Sequence, residues 1–192
     1  EGRALETIPR RERATLIAYV PQQQRSVFPF TALEVVLTGR TPYGSRFRFE
    51  SDADREIAMR ALEDIGAAHL APRPVTELSG GEQQMVSVAR ALAQSARVLL
   101  LDEPAASLDL KHRAQLGSAL RRLREERGLT ALVVTHDLQM LDSSFDSLFA
   151  MREGKIVAQG PPSEVLKDEV LSSAFDDTRV RTGRIEGRTF VW

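Results

Sequence analysis

Two unbroken apolar runs, Val98-Leu99-Leu100-Leu101 and Ala131-Leu132-Val133-Val134, constrain this chain more than any other feature. Short apolar runs without polar alternation read as strands covered on both faces, the pattern of a parallel sheet. Between them Leu116, Ala119, Leu120 and Leu123 recur at helical spacing, and Gly128 stops the helix. Strand, helix, strand over this length is a parallel crossover, so both strands end at one edge of an α/β sheet. The polar residues that follow them, Asp102-Glu103 and His136, therefore come to that edge. Open parallel sheets bind their ligands there.

The flanking segments read in the same way. Leu16 to Val20 is a third buried strand, closed by Pro21 and followed by the polar loop Gln22 to Ser26. Thr31 caps a short helix carrying Leu33, Val36 and Leu37, which Gly39 and Pro42 break. Ser51 with Asp54 forms a capping-box start for a helix whose apolar face is Ile57, Ala58, Ala61, Leu62 and Ile65. Leu148 to Met151 and Ile156 to Ala158 read as a hairpin around Glu153-Gly154-Lys155, and Ser163 to Lys167 as a short helix. Beyond that point Arg179 to Arg181 and Thr189 to Trp192 suit two edge strands. There is no internal repeat and no low-complexity linker.

Composition excludes several classes of function. The 26 basic and 27 acidic side chains nearly cancel, so no strong field favours nucleic acid or anionic lipid. Cysteine is absent, which removes disulfides and thiolate metal sites and fits a reducing compartment. No apolar run approaches the ~20 residues needed to cross a bilayer. The chain opens on Glu1-Gly2 and a polar segment, which reads as a cut end within a longer domain.

Chemistry concentrates in a few places. Asp102-Glu103 pairs two carboxylates at a strand end: one suits magnesium through water, and its neighbour suits orienting an attacking water. An ordinary polar turn before Pro104 is the competing reading. In Leu78-Ser79-Gly80-Gly81-Glu82, Ser79 and Glu82 make a capping box. The cap explains neither glycine, and each costs roughly 1 kcal/mol relative to alanine in a helix. Bare amides at a helix N-terminus beside a serine hydroxyl form an anion site, so a phosphate is the expected beneficiary. His136 is a candidate phosphate contact by its edge position, and Asp137 suits a helix cap. Gln22 lies at the same edge and suits a metal-bound or attacking water, although Gln23 and Gln24 adjoin it. Asp109, in Ser107-Leu108-Asp109, reads as a helix cap on physical grounds.

Taken in order, Pro21-Gln22, Leu78-Ser79-Gly80-Gly81-Glu82-Gln83-Gln84, Leu99-Leu100-Leu101-Asp102-Glu103-Pro104, Ser107-Leu108-Asp109 and His136 resemble the Q-loop, signature, Walker B, D-loop and H-loop of ATP-binding cassette ATPases. The resemblance runs over nearly the whole chain. It implies a P-loop NTPase-like parallel-sheet core with an inserted helical subdomain, cut at its N-terminus. Residues 1–192 then form one incomplete ATPase domain, with 28–94 as the helical subdomain, 1–27 and 95–167 as parts of the core, and 168–192 as a tail. It also implies ATP and Mg2+ as ligands and a homodimer that sandwiches two nucleotides. Ser79, Gly80, Gly81 and Glu82 would act on the partner's ATP, while Asp109 would link the two sites. Asp102 would assist magnesium together with Gln22, Glu103 would act as general base, and His136 would contact the γ-phosphate that Gln22 senses.

Finer similarity lies in Phe28-Pro29-Phe30-Thr31, Leu33-Glu34-Val35-Val36, Gly39-Arg40, Pro42-Tyr43, His69-Leu70-Ala71 and Ala91-Leu92-Ala93-Gln94. These resemble importer ATPases that serve iron-siderophore, haem and cobalamin permeases. That implies a peripheral subunit on the cytoplasmic face of the membrane, docked to a permease through the Q-loop and the 28–66 segment. A substrate-binding protein would be met only indirectly, and nucleic acid not at all. Two departures stand out. Met85 occupies a position where the family carries arginine, which is expected to soften the contacts of the first turn. No G-x-x-x-x-G-K-[ST] occurs in the chain, so the chain alone is expected not to bind ATP tightly. A soluble cassette ATPase acting on nucleic acid would carry long coiled coils, for which Gln22 to Leu78 has no room. A non-catalytic interaction module would not need both Asp102 and Glu103.

Overall fold

The computed structural model describes residues 2–22, 28–44, 51–141, 144–177, 179–185 and 188–191. The chain divides into two compact units, Glu1–Thr135 and His136–Trp192. The first contains α1 (Arg10–Leu16), β1 (Ile17–Val20), α2 (Ala32–Leu37), α3 (Asp52–Asp64), α4 (Gly80–Ala93), β2 (Val98–Asp102), α5 (Leu110–Arg127) and β3 (Thr130–Val134). Leu16 thus closes a helix instead of opening the strand. The polar segment before it, which carries no clear periodic signal, folds into α1.

The strands form a parallel sheet in the order β1-β2-β3. Ile17 to Val20 pair with Val98 to Leu101, and Val98 to Asp102 with Thr130 to Val134, so the three strands end together. Ala18, Val20, Leu99 and Leu101 are buried on one face, with α4 packed against β1 and α5 against β3. Alternation turns Tyr19, Leu132 and Val134 to the other face, where they are exposed. The expectation of cover on both faces therefore holds for one face of β1 and β2 only among the described residues, and β3 is largely exposed on both. An apolar run reports that a strand suits burial, not which segment supplies the cover.

Among the described residues from 28 to 94 the regular elements are helical, with an isolated bridge between Thr31 and Pro74. Thr31 and Glu34 complete a capping box at α2, and Ser51 and Asp54 complete another at α3. Arg40 and Ser51 both hydrogen-bond the Asp54 carboxylate and hold it below the usual aspartate range. α2 and α3 pack against α4, whose Met85, Val86, Val88 and Ala89 are buried. Met85 is thus a core residue, and its contribution is packing beneath the first turn. The C-terminal end of α4 is a junction. Arg40 reaches Ala93 O at 2.9 Å and Ser95 Oγ at 3.1 Å, the Tyr43 hydroxyl donates to Gln94 O at 2.9 Å, and Gln94 Nε2 donates to Ala14 O and Ile17 O.

In the second unit β4 (Leu148–Arg152) and β5 (Lys155–Gly160) form an antiparallel hairpin whose turn holds Glu153 and Gly154 at φ 49° and 75°. Two short helices follow, α6 (Pro162–Val165) and α7 (Asp168–Phe175). Leu148, Val165, Leu166 and Leu171 form their core. The final pair is β6 (Thr182–Ile185) with β7 (Arg188–Val191), antiparallel. The first of these starts past the Arg179 to Arg181 segment expected to be a strand. The Asp168 carboxylate accepts hydrogen bonds from the backbone and hydroxyl of Thr182, which fixes the strand start there. Trp192, the loop residues 23–26 and the adjoining Gln23 and Gln24 lie outside the described residues. No described helix is long and apolar enough to cross a membrane.

Gly39 is where the helical layer is least tolerant. It is buried in the turn after α2, and a Cβ built on it would overlap the Arg90 carbonyl of α4. Because the obstacle is backbone, Gly39→Ala is expected to lower stability by about 1–3 kcal/mol, read as a shift of the urea midpoint. An unchanged midpoint would show that α2 and α4 do not meet there.

Candidate functional site

The shared edge of the parallel sheet gathers the acidic pair and its surroundings. The register Val20 to Leu101 brings Pro21-Gln22 to the edge where Asp102-Glu103 leave β2, and Gln22 is exposed there. Asp102 pairs with Val134 and lies on the open face of the sheet, half-buried. Its Oδ2 accepts a hydrogen bond from the Tyr19 hydroxyl at 3.3 Å, a contact across two strands. Desolvation, with the neighbouring Asp102 carboxylate adding to it, raises the Tyr19 phenol above its ordinary range.

Glu103 does not continue the strand. Its φ of 47° is left-handed, a conformation that costs a non-glycine residue about 1–2 kcal/mol. Two hydrogen bonds from the end of β3 hold it there. The Glu103 N–H donates to Val134 O at 2.8 Å, and Thr135 Oγ1 donates to Glu103 Oε2 at 3.2 Å. The turn that follows closes with Ala106 N–H on Glu103 O at 3.2 Å. The two neighbouring carboxylates are thereby separated: Asp102 stays in the strand, and Glu103 is turned out of it against β3. Strain of this kind at a strand end is typical of residues whose side chain is needed elsewhere.

Across the unit, Ser79 caps α4. Ser79 N–H and Oγ donate to Glu82 Oε2, both at 2.8 Å, and Ser79 Oγ accepts the Glu82 N–H at 3.3 Å. These bonds, from the Ser79 backbone first and its hydroxyl second, hold the Glu82 carboxyl below the usual glutamate range, with Arg73 and His69 adding to the effect. The turn after the acidic pair packs directly on this cap. Ser107 Oγ reaches Gly80 O at 3.5 Å, and a Cβ on Gly81 would lie 3.1 Å from Ser107 O. Asp109 then caps α5, accepting His112 N–H at 2.8 Å and facing His112 Nδ1 at the same distance. The helix-cap reading of Asp109 is therefore realised, and it is built next to the glycine turn.

The glycines separate on this evidence. Gly81 is tightly packed, because a side chain there would press on the backbone of the next turn, which would have to give by a few tenths of an ångström. Gly80 is not, since its Cβ would meet only Ser107 Cβ at 3.9 Å. His136 follows Thr135 and opens the second unit, where it is exposed; Asp137 precedes a short 3-10 turn over Leu138–Met140. Among the described residues no group of three or more His, Cys, Asp or Glu side chains is arranged to hold a metal. Sequence reasoning missed Tyr19, Thr135 and Arg73. Thr135 stands beside His136 at the same strand end, so the edge argument could have found it. Arg73 and Tyr19 act across tertiary distance, which no local pattern reports.

The separation of the glycines has a direct test. Gly80→Ala is expected to leave folding stability unchanged or raised by up to about 1 kcal/mol. Gly81→Ala is expected to lower it. Equal effects of the two substitutions on thermal melting would contradict the separation.

The ABC transporter family profile matches residues 1–106. A hemin import ATP-binding protein, HmuV, of Gloeobacter violaceus is 42% identical over 181 residues, covering 91% of this chain and 65% of its own length. An iron(3+)-hydroxamate import ATP-binding protein, FhuC, of Bacillus subtilis is 37% identical over 174 residues, with 91% and 65% covered. The chain thus spans 65% of the length of these curated relatives. A solved metal-chelate type ABC transporter in an inward-facing conformation superposes with a TM-score of 0.80 at 28% identity, over 92% of this chain and 70% of that one. The ordered motifs, the parallel sheet that positions them and these similarities together make the chain a member of the ABC transporter ATPase family.

Proposed function

We propose that this chain is part of the ATP-hydrolysing subunit of an importer that serves an iron-siderophore, haem or cobalamin permease at the cytoplasmic face of the membrane. The observation that carries the hydrolytic part is the divergence of Asp102 and Glu103. One carboxylate stays in the sheet and the other is held out of it by Val134 O and Thr135 Oγ1. In this reading Asp102, with Gln22, serves the magnesium, which would supply charge neutralisation to the phosphates. The side-chain oxygens of these two residues fit a hard cation that takes most of its ligands from phosphate and water. Glu103 orients the attacking water and takes its proton as the bond to the γ-phosphorus forms and the bond to the bridging oxygen breaks. His136 contacts the γ-phosphate.

The glycine turn has a different client. Ser79, Gly80 and Gly81, with their backs on the Ser107-Asp109 turn, close over the ATP of a second subunit in a homodimer. Asp109 couples the two halves through that packing. Residues 28–94 act as the helical subdomain that meets the permease. Exposed Phe28, Phe30 and Tyr43 support this; the two phenylalanine rings lie 6.0 Å apart in a tilted pair. The similarity to hemin and hydroxamate import proteins supports the substrate group. The cargo itself never touches these residues.

Nucleotide binding tests the reading. The complete subunit that includes this chain is expected to bind ATP at micromolar concentration. There Glu103→Gln should reduce turnover by at least about a hundredfold with binding retained, the scale of a lost general base. The 192-residue chain alone, lacking a phosphate loop, should show no stoichiometric micromolar binding. Tight binding by the chain alone, or normal turnover by the Glu103→Gln subunit, would overturn the proposal.

A further inference from the structure

Glu82 is a carboxylate in the very turn assigned to a phosphate. A negative side chain in the first turn of α4 is favourable to the helix dipole. It is unfavourable to an incoming anion only a few ångströms away. The cap commits Oε2 of Glu82 to Ser79. Oε1 faces another segment, where Arg73 Nη1 donates to it at 3.2 Å. Arg73 is not a loose surface cation. Its Nη2 donates to Glu77 O at 3.2 Å, its backbone N–H donates to Leu70 O at 2.9 Å, and its carbonyl accepts the Ala32 N–H at 2.9 Å. The Arg73 backbone is therefore anchored by the start of α2, and its guanidinium by the turn that leads into Ser79. The ion pair is partly exposed, with 42% of the arginine side chain and 22% of the glutamate side chain accessible.

We infer that Arg73 is an electrostatic positioning residue of the glycine turn: it offsets the Glu82 charge so that Ser79, Gly80 and Gly81 can accept a nucleotide phosphate. The inference rests on the proposed role of that turn, and it extends that role to a residue that touches no nucleotide. Glu82 is a charged carboxylate at neutral pH, as any glutamate is, and its Ser79 hydrogen bonds favour that charged form. It follows that Arg73 matters only while residue 82 is negative. Glutamine at the same position keeps the capping box and removes the charge.

The test is pairing of the complete ATPase subunit driven by the non-hydrolysable analogue AMP-PNP, measured by analytical ultracentrifugation. Arg73→Ala is expected to weaken the response about fivefold per site, the upper scale of a partly exposed ion pair. With two sites in a symmetric dimer that becomes up to about 25-fold in the pairing constant. Arg73→Lys should retain most of the affinity, and Arg73→Ala should cost nothing further when made on Glu82→Gln, so that the double variant Arg73→Ala/Glu82→Gln matches Glu82→Gln alone. A double variant weaker than Glu82→Gln by the factor that separates Arg73→Ala from the parent would overturn the inference and leave Arg73 a structural tie to Glu77. A parent-like Arg73→Ala would overturn it as well. Ser79→Arg separates the two levels. If it abolishes pairing while the double variant fails to recover, only the charge inference falls; if it pairs normally, the role of the turn falls with it.

Discussion

The parallel pairing of β2 with both of its neighbours is the constraint on which the rest of the first unit depends. Parallel strands joined by helical crossovers all leave the sheet at one edge. Gln22 after β1, Asp102-Glu103 at β2 and Thr135 after β3 are therefore neighbours by topology. A slip of one residue in the β2–β3 register would move Val134 O and Thr135 away from Glu103, and the left-handed backbone at Glu103 would lose both bonds that hold it. The chemistry of the acidic pair is thus a property of register as much as of residue type.

The second organising element is α4, which serves three purposes along its length. Its first turn presents Ser79, Gly80 and Gly81, its middle buries Met85, Val86, Val88 and Ala89 against α2 and α3, and its end ties the helical layer to β1 through Gln94. Packing explains one of the two glycines and the cap explains Ser79 and Glu82. What packing leaves over, Gly80 and the Arg73–Glu82 pair, is what the proposed role of the turn rests on. That remainder is a narrower indication than the whole motif, and a more physical one.

Much of the fold was legible because local signals agreed with one another. The capping boxes at Thr31, Ser51 and Ser79 and the left-handed Gly128 after α5 need only nearby residues, and each is present. The hairpin at Glu153-Gly154 belongs with them. The start of β6 was not legible, because it is set by Asp168 reaching Thr182 across the second unit. Helix α7 is eight residues long and its two buried positions, Leu171 and Ala174, give too little periodicity to identify it. In the candidate site, strand-end position singled out Asp102 and Glu103, and the capped glycine turn singled out Ser79. Tyr19 and Arg73 stayed hidden, since their meaning comes from partners far along the chain. The open face of the sheet was hidden for a related reason, as apolar strands do not name their cover.

The central claim is that the glycine turn acts on another subunit's nucleotide while the acidic pair acts on its own. The chain contains no cysteine, so in the complete subunit, with any cysteine outside this chain replaced, a single cysteine placed at Ser79 can carry a short photo-crosslinker. With ATP and the turnover-deficient subunit, the account predicts a crosslinked dimer, joined to the phosphate-binding segment of the second copy and absent without nucleotide. Crosslinks confined to the same chain, or a dimer that forms equally well without ATP, would contradict it.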